Sequence, residues 1–248
     1  MKRYVVIFHP RSGSSWLSSI MSGFPDILEG FELLDFQTAN NLGFGSDHLK
    51  NESMTYRHIY TIGEFFKHAE KYQKIRLAGF KAAPYQIYGL GEFASHLRSI
   101  DAHVILLTRS RILGAAISSI GALALHKRQA DVNIIDPSHS VKKVRVGRDE
   151  LFYNLTEQII ERNRVLAFRD VFDRNRLLEV RYEMMCDNTS RQMRRIFKFL
   201  SFEVPKGAIF QGVTHRNLLP SPAQSVENYD EVVGWLKGTL FEWVLDEN

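Results

Sequence analysis

The stretch PRSGSSW, residues 10–16, combines one arginine, one glycine and three serines directly after an apolar run. When such a loop joins a strand to a helix, its backbone N–H groups and the helix N-terminus converge on an anion. Gly13 lets a ligand approach the backbone closely, and the serine hydroxyl groups add hydrogen-bond donors. The stretch therefore predicts a phosphate-binding loop, and the structural alternative is a serine-rich turn.

The loop departs from the P-loop of nucleotide triphosphatases, G-x-x-x-x-G-K-[ST], because no lysine follows Gly13 and Arg11 precedes it. It resembles instead the phosphosulfate loop of sulfotransferases that use 3′-phosphoadenosine-5′-phosphosulfate (PAPS), in which a Lys or Arg precedes S-G-[ST]-[ST]. The resemblance implies that the loop holds the phosphosulfate group of PAPS, through Arg11, Ser12, Gly13, Ser14, Ser15 and Trp16. It also implies that Arg11 stabilises charge on the leaving phosphate and that no metal ion takes part.

A second stretch, LLTRSRILGAAISS at residues 106–119, resembles the family segment that binds the 3′-phosphate of the cofactor. The resemblance implies this role for Arg109 at a strand end and for Ser118 on the following helix. The spacing of the two residues is similar to that in bacterial trehalose and Nod-factor sulfotransferases. Simple helix packing remains the alternative for Ser118.

Two later stretches match the same family in the expected order. LLEVRYEMM, residues 177–185, resembles a segment whose tyrosine lies near the adenine, which would be Tyr182 here; a core aromatic is the equal alternative. The carboxyl-terminal segment starting NYDE at residue 228 is similar to bacterial carbohydrate sulfotransferases. Arg216, in the earlier stretch HRN, is a candidate late cation near the cofactor.

The transfer reaction also needs a base for the acceptor hydroxyl. The animal cytosolic enzymes place a histidine after the third strand, whereas GFKAAPY has Lys81 and no histidine. The resemblance to bacterial sugar enzymes around DILEGFELL instead implies Glu32 as the base, with Glu29 in reserve. Lys81 is a candidate for orienting the sulfonate or the acceptor, and its alternative is an exposed strand-end lysine.

These matches predict an enzyme that transfers the sulfuryl group of PAPS to a hydroxyl group and releases 3′-phosphoadenosine-5′-phosphate (PAP). The acceptor is expected to be a small molecule, a glycan or a glycolipid, and a homodimer is a further possibility. The alternatives are an inactive nucleotide-binding protein of the same fold and a small-molecule kinase on a related P-loop fold. The kinase would need a lysine after the glycine and a magnesium site lined by aspartates. Nucleic-acid binding is disfavoured, because the sequence has no zinc-finger spacing and no long basic tract.

The elements that must position these residues alternate along the chain. Apolar runs predict strands within residues 3–8, 26–34, 75–81, 103–108 and 176–180. Periods of three to four predict helices within residues 14–23, 58–73, 88–100, 111–128, 149–175, 188–200 and 228–245. We expect Asp149 and Asn188 to cap two of these helices. The alternation predicts an α/β, P-loop-like three-layer α/β/α fold with a central parallel sheet.

The 248 residues suit one sulfotransferase domain, residues 1–248. The polar, basic stretch at residues 129–148 is predicted to be a mobile lid, with Lys142, Lys143, Arg145 and Arg148 as candidate contacts to a negatively charged acceptor. The single cysteine and the lack of a signal-peptide pattern predict a cytoplasmic protein, and no transmembrane segment is expected.

Overall fold

The computed structural model describes residues 1–127, 143–212 and 221–247 of the chain. Its strands correspond to the five predicted apolar runs: β1 (Lys2–Phe8), β2 (Ile27–Glu29), β3 (Leu77–Ala82), β4 (Ala102–Thr108) and β5 (Leu177–Arg181). All neighbouring strands pair in parallel, in the order β2-β3-β1-β4-β5. The predicted α/β fold with a central parallel sheet is therefore confirmed.

Helices connect the strands, because a parallel neighbour is reached only through a crossover. The α-helices of the described residues are α1 (Ser14–Met21), α2 (Phe36–Asn41), α3 (Met54–Glu70), α4 (Leu90–Ser99), α5 (Ile112–Lys127), α6 (Arg148–Ala167), α7 (Tyr182–Asp187), α8 (Thr189–Phe199), α9 (Pro222–Ser225) and α10 (Tyr229–Leu236). None of these helices combines the length and the apolar character needed to cross a membrane.

Strand β1 shows why both faces of the sheet are covered, since its side chains alternate between two apolar clusters. Val5 and Ile7 pack in one cluster with side chains of α3, α4 and α6. Tyr4, Val6 and Phe8 pack in the other with side chains of α1 and α8. Helices on both faces of the buried sheet produce the three layers expected of the fold.

A third apolar cluster joins α5, α6 and α10 beside the sheet. Val144 and Val226 form a parallel bridge at its edge. The Asn228 side chain donates to the carbonyl oxygen of Val146 and accepts its N–H, both at 3.0 Å. Of the predicted lid, residues 129–142 lie outside the described residues, and the part that follows them is anchored here by buried Val144 and Val146.

Two local predictions are wrong. Asp149 does not cap α6, because the helix begins at Arg148 with Gly147 at the N-cap; the Asp149 carboxylate lies in the first turn, where the helix dipole still favours it. Residues 228–245 are not one helix either. Helix α10 ends at Leu236, because Lys237 takes a non-helical ψ of 135° and Gly238 a φ of 72°, before a short 3₁₀ helix follows.

Candidate functional site

The candidate phosphate loop lies between β1 and α1, at the carboxyl end of the central strand. Gly13 occupies the N-cap with a φ of 86°, and no side chain caps the helix there. The Leu17 N–H makes the first helical bond, to the carbonyl oxygen of Gly13 at 3.0 Å. The backbone N–H groups before it, those of Ser14, Ser15 and Trp16, therefore lack intrahelical partners and suit an anion.

Gly13 is also where the loop meets Tyr182, the first residue of α7. A Cβ atom at Gly13 would lie 2.5 Å from Cδ2 of Tyr182, closer than any side chain tolerates. The rings of Trp16 and Tyr182 pack edge to face, with their centroids 6.5 Å apart. The structure thus brings together the predicted loop and the tyrosine that the resemblance places near an adenine.

Arg11 and Arg109, on the loops that follow β1 and β4, contact each other. The Arg11 Nε–H donates to Ser118 Oγ at 3.0 Å, and the Arg109 Nη1 donates to the carbonyl oxygen of Arg11 at 3.2 Å. The Arg109 guanidinium also lies over the Tyr182 ring, 4.8 Å from its centroid. The residues predicted for the two phosphate sites therefore form one continuous cluster.

This cluster has positive charge and unfilled donors. Burial and the charge of Arg109 lower the pKa of Arg11 to about 10. Within the described part of the chain, none of the ion pairs involves Arg11. The Ser12 Oγ is buried and has no hydrogen-bond partner there. A half-buried guanidinium beside another cation is unfavourable without a counter-charge, so the loop fits an anionic group such as phosphate.

The backbone that leads from β4 into α5 is held by side chains from distant parts of the chain. Five consecutive N–H groups, from Arg109 to Leu113, each donate to a side chain over 2.6–3.3 Å: one to His9, two to Glu183 and two to Glu247. The N-terminus of α5 is thus filled by protein carboxylates, in contrast to that of α1.

Sequence analysis missed these three residues. His9 and Glu183 adjoin motif residues, in HPRSGSSW and in RYE, and this adjacency is the signal that was available. Glu247 has no such signal, because it lies at the far end of the chain and only the fold brings it to α5.

His9 is buried and acts as a neutral support for Arg109. Burial lowers its pKa to about 4. Because Nε2 accepts the Arg109 N–H, the proton of the neutral ring lies on Nδ1, which is 3.1 Å from Oε1 of Gln158 and donates to it. His9 therefore fixes the position of the Arg109 backbone without adding a third positive charge.

Lys81 connects the loop to the candidate base. Its side chain is 4% exposed, and its Nζ lies 2.9 Å from Ser15 Oγ and 3.0 Å from Oε1 of Glu32. The other oxygen of Glu32 accepts from Gln86 Nε2 at 3.3 Å, and the Glu32 side chain is 34% exposed. Lys81 is therefore not an exposed strand-end lysine, and the structure places the three predicted residues in one hydrogen-bonded chain.

Glu29 lies within the core, next to this series of hydrogen-bonded side chains. Ser18 and the N–H of Phe31 donate to its Oε1, at 3.1 and 3.2 Å, and the Tyr4 hydroxyl donates to Oε2. Burial raises the pKa of Glu29 to about 7, although these hydrogen bonds and the charge of Lys81 oppose the rise. Both oxygens are engaged, so Glu32 is the carboxylate that reaches the surface.

The remaining predicted site residues are the cations of the late loops. Arg216 and Lys142 lie outside the described residues. Arg145 forms an exposed ion pair with Glu231 at 3.1 Å. Over residues 1–127, 143–212 and 221–247, His, Cys, Asp and Glu side chains form no group that would hold a metal ion.

Comparisons with known proteins give a likeness in structure only. No protein-family model matches the chain, and no curated protein is significantly similar in sequence. The crystal structure of a sulfotransferase from Alicyclobacillus acidocaldarius is 13% identical, with a TM-score of 0.53, over 95% of this chain and 91% of that one. The sulfotransferase domain of the Synechococcus PCC 7002 olefin synthase is 15% identical, with a TM-score of 0.48, over 83% and 75%.

A mouse sulfotransferase, SULT7A1, complexed with PAP is 14% identical, with a TM-score of 0.45, over 83% of this chain and 61% of that one. The likeness to the Alicyclobacillus enzyme, which spans nearly the whole of both chains, shows that this chain has the fold of a sulfotransferase.

Proposed function

We propose that this protein is a sulfotransferase that binds PAPS, passes the sulfuryl group to a hydroxyl group of an acceptor and releases PAP. One observation carries the proposal: Arg11 and Arg109 lie together beside the open N-terminus of α1, and Arg11 has no carboxylate partner among the described residues. A ligand with two separate anionic groups would supply the counter-charge for Arg11 and contact Arg109 at the same time.

PAPS has such groups and would supply the activated sulfuryl group. The backbone N–H groups of Ser14 to Trp16 would bind its 5′-phosphosulfate, together with Arg11. Arg109 and Ser118 would bind the 3′-phosphate, for which the planar fork of an arginine is well suited. Tyr182 and Trp16 offer aromatic surfaces for the adenine. Arg216 stays a candidate further contact.

The side chains between the loop and the surface suit the transfer step. Phosphoryl transfer, the nearest template, depends on positioning and on stabilising charge. Lys81 lies between Ser15 and Glu32, so its ammonium group would bind the transferring sulfonate and keep the base oriented. Glu32 would accept the proton of the attacking hydroxyl group.

The acceptor is proposed to be a carbohydrate or a glycolipid. Beside Glu32, the exposed aromatic rings of Phe31 and Tyr85, 42% and 53% accessible, offer faces on which a sugar ring can stack. Tyr85 precedes Gln86, whose Nε2 donates to Oε2 of Glu32 at 3.3 Å, so this part of the chain lies beside the candidate base. Carboxylate and amide groups such as Glu32 and Gln86 suit the hydroxyl groups of a sugar.

Calorimetric titration with PAP, 5′-AMP and ATP plus Mg²⁺ tests the cofactor assignment. PAP should bind far more tightly than 5′-AMP, and Arg109→Ala should remove much of the difference, because a charge-assisted hydrogen bond contributes about 1.5–3 kcal/mol. Equal affinities for PAP and 5′-AMP would refute the assignment. Tighter binding of ATP with Mg²⁺ would favour the kinase.

Transfer itself is tested with radiolabelled PAPS against trehalose, chitooligosaccharides, glycolipids and phenols. Label should move to a sugar hydroxyl group, and transfer should persist in excess chelator. Tight PAP binding with no transfer to any acceptor would indicate an inactive nucleotide-binding protein.

A further inference from the structure

We propose that Glu29 is a positioning residue whose buried carboxylate holds the backbone turn that presents Glu32 to Lys81 and to the acceptor hydroxyl group. The inference rests on the proposed function, because it concerns the reaction in which Glu32 is the base. In the sequence Glu29 and Glu32 look like interchangeable candidates for one role, whereas in the fold the first supports the second.

The turn after β2 is strained and depends on its hydrogen bonds. Phe31 has a φ of 50°, in the left-handed region that a residue with a bulky side chain rarely adopts. Its N–H donates to Oε1 of Glu29 at 3.2 Å, and its carbonyl oxygen accepts the Lys81 N–H at 2.7 Å. The next residue is Glu32, which reaches the Lys81 ammonium group at 3.0 Å. Loss of the acceptor for the Phe31 N–H would let the turn relax and displace Glu32.

Glu29 itself is fixed by two neighbouring elements. Ser18 of α1 donates to Oε1 at 3.1 Å, and Tyr4 of β1 donates to Oε2. Tyr4 reaches β2 only because β3 has Gly79 at the crossing point, where the Cβ of any other residue would collide with the tyrosine ring. The position of the carboxylate is therefore set by the core and not by the surface of the site.

The ionised form of Glu29 holds the turn more firmly than the neutral form. Tyr4 and Lys81 are the titratable groups that face Glu29, and both favour its carboxylate form. Burial raises the pKa of Tyr4, so this phenol stays a donor. Protonated Glu29 would accept the Phe31 N–H more weakly, because charge-assisted hydrogen bonds are the stronger ones. The pKa of about 7 means that this change falls near neutral pH.

The test compares Glu29→Gln with the wild-type enzyme, using radiolabelled PAPS and trehalose, or the best acceptor of the screen above, from about pH 5.5 to about pH 9. Glutamine keeps the shape and one acceptor oxygen but cannot ionise. In the wild type kcat should fall as the pH drops through about 7. In the variant this fall should be absent and kcat at high pH lower by up to about 10²-fold, the cost of misplacing a catalytic group by about 1 Å. PAP affinity should be unchanged.

Tyr4→Phe provides a second perturbation in the same network. The hydrogen bond from Tyr4 lowers the pKa of Glu29, so its removal should move the fall in kcat to higher pH. Glu52→Gln, a substitution of an exposed loop carboxylate outside the site, is the matched control and should reproduce the wild-type profile. An NMR titration of the Phe31 amide, in protein with isotope-labelled phenylalanine, should show a transition near pH 7 that Glu29→Gln removes.

The outcomes separate this inference from the proposed function. Wild-type transfer with the same pH profile in Glu29→Gln, or a Phe31 amide that does not titrate, would overturn the positioning role alone. No transfer by the wild type to any acceptor, with a Phe31 amide that still titrates, would overturn the proposed function and with it the role assigned to Glu29.

Discussion

Glu29 and His9 are buried titratable groups whose effects on stability change in opposite directions with pH. The pKa of Glu29 is about 7 in the folded protein, against its ordinary value of 4.5. A pKa raised by folding contributes stability that is present below pH 4.5 and lost as the pH rises through about 7. The difference between the two pKa values corresponds to about 3 kcal/mol.

His9 behaves in the reverse way, because burial lowers its pKa from 6.5 to about 4. The neutral ring contributes stability that is present above pH 6.5 and lost as the pH falls through about 4. The magnitude is again about 3 kcal/mol. In the wild-type protein the two contributions therefore offset each other over most of this range.

Substitution of one group should expose the other. In urea unfolding at about pH 7.5 and about pH 4.5, Glu29→Gln should lose roughly 2–3 kcal/mol more than the wild type on going to the lower pH. His9→Gln should change by a similar amount in the opposite direction, and Glu52→Gln should follow the wild type. If Glu29→Gln and the wild type had the same pH dependence, the carboxyl group would not titrate near pH 7 and the reasoning would be refuted.

Three further substitutions test individual contacts. Gly13→Ala combines a positive φ with a collision against the Tyr182 ring, so it should lower the unfolding free energy by about 1–3 kcal/mol more than Gly43→Ala does. Gly43 is the control because its φ is 79° and its Cβ would meet nothing; equal urea midpoints for the two variants would contradict the collision. Glu183→Ala removes the acceptor of two backbone N–H groups and should weaken PAP binding at least about tenfold in calorimetry, because a hydrogen bond to a charged group contributes about 1.5–3 kcal/mol. Glu183→Gln should retain most of the affinity, and unchanged affinity in the alanine variant would show that Glu183 does not support the site. Asn228→Ala removes both bonds to Val146 and should lower the unfolding free energy by about 2–3 kcal/mol; a loss in thermal denaturation no larger than that of an exposed asparagine would count against it.

Much of the fold could be predicted because its signals are local. Buried parallel strands read as continuous apolar runs, so β1 and β4 are visible without knowledge of their neighbours. The loop after β1 is visible for the same reason, because a glycine and several serines directly after such a run indicate the turn from strand to helix. The break after α10 was missed because an apolar period of three to four continues past Gly238, and the pattern does not record the backbone of Lys237 and Gly238 that ends the helix.

The partition between Glu29 and Glu32 could not be predicted from the sequence, because it depends on the register of β2 beside β3. Glu29 pairs with Gly79, and that glycine admits the Tyr4 ring that engages the carboxylate. The chain leaves the strand after Glu29, so Glu32 lies outside the core, where it forms an ion pair with Lys81. Two identical residue types three positions apart thus acquire different environments from contacts with residues far away in the chain.

The two helix N-termini at the carboxyl edge of the sheet show why a phosphate site cannot be located from a strand, loop and helix pattern alone. Helices α1 and α5 both follow central strands, yet the N–H groups at the start of α5 donate to the carboxylates of Glu183 and Glu247. These two glutamates lie 73 and 135 positions along the chain from the N–H groups that they bind. Of these two helices, α1 is the one whose first amides have no side-chain cap among the residues that the structure describes. Under the proposed function the backbone N–H groups of α1 would then bind the 5′-phosphosulfate, whereas the 3′-phosphate would be bound by the side chains of Arg109 and Ser118. Discrimination between PAP and 5′-AMP would therefore depend on those two side chains and not on the N–H groups at the start of α5.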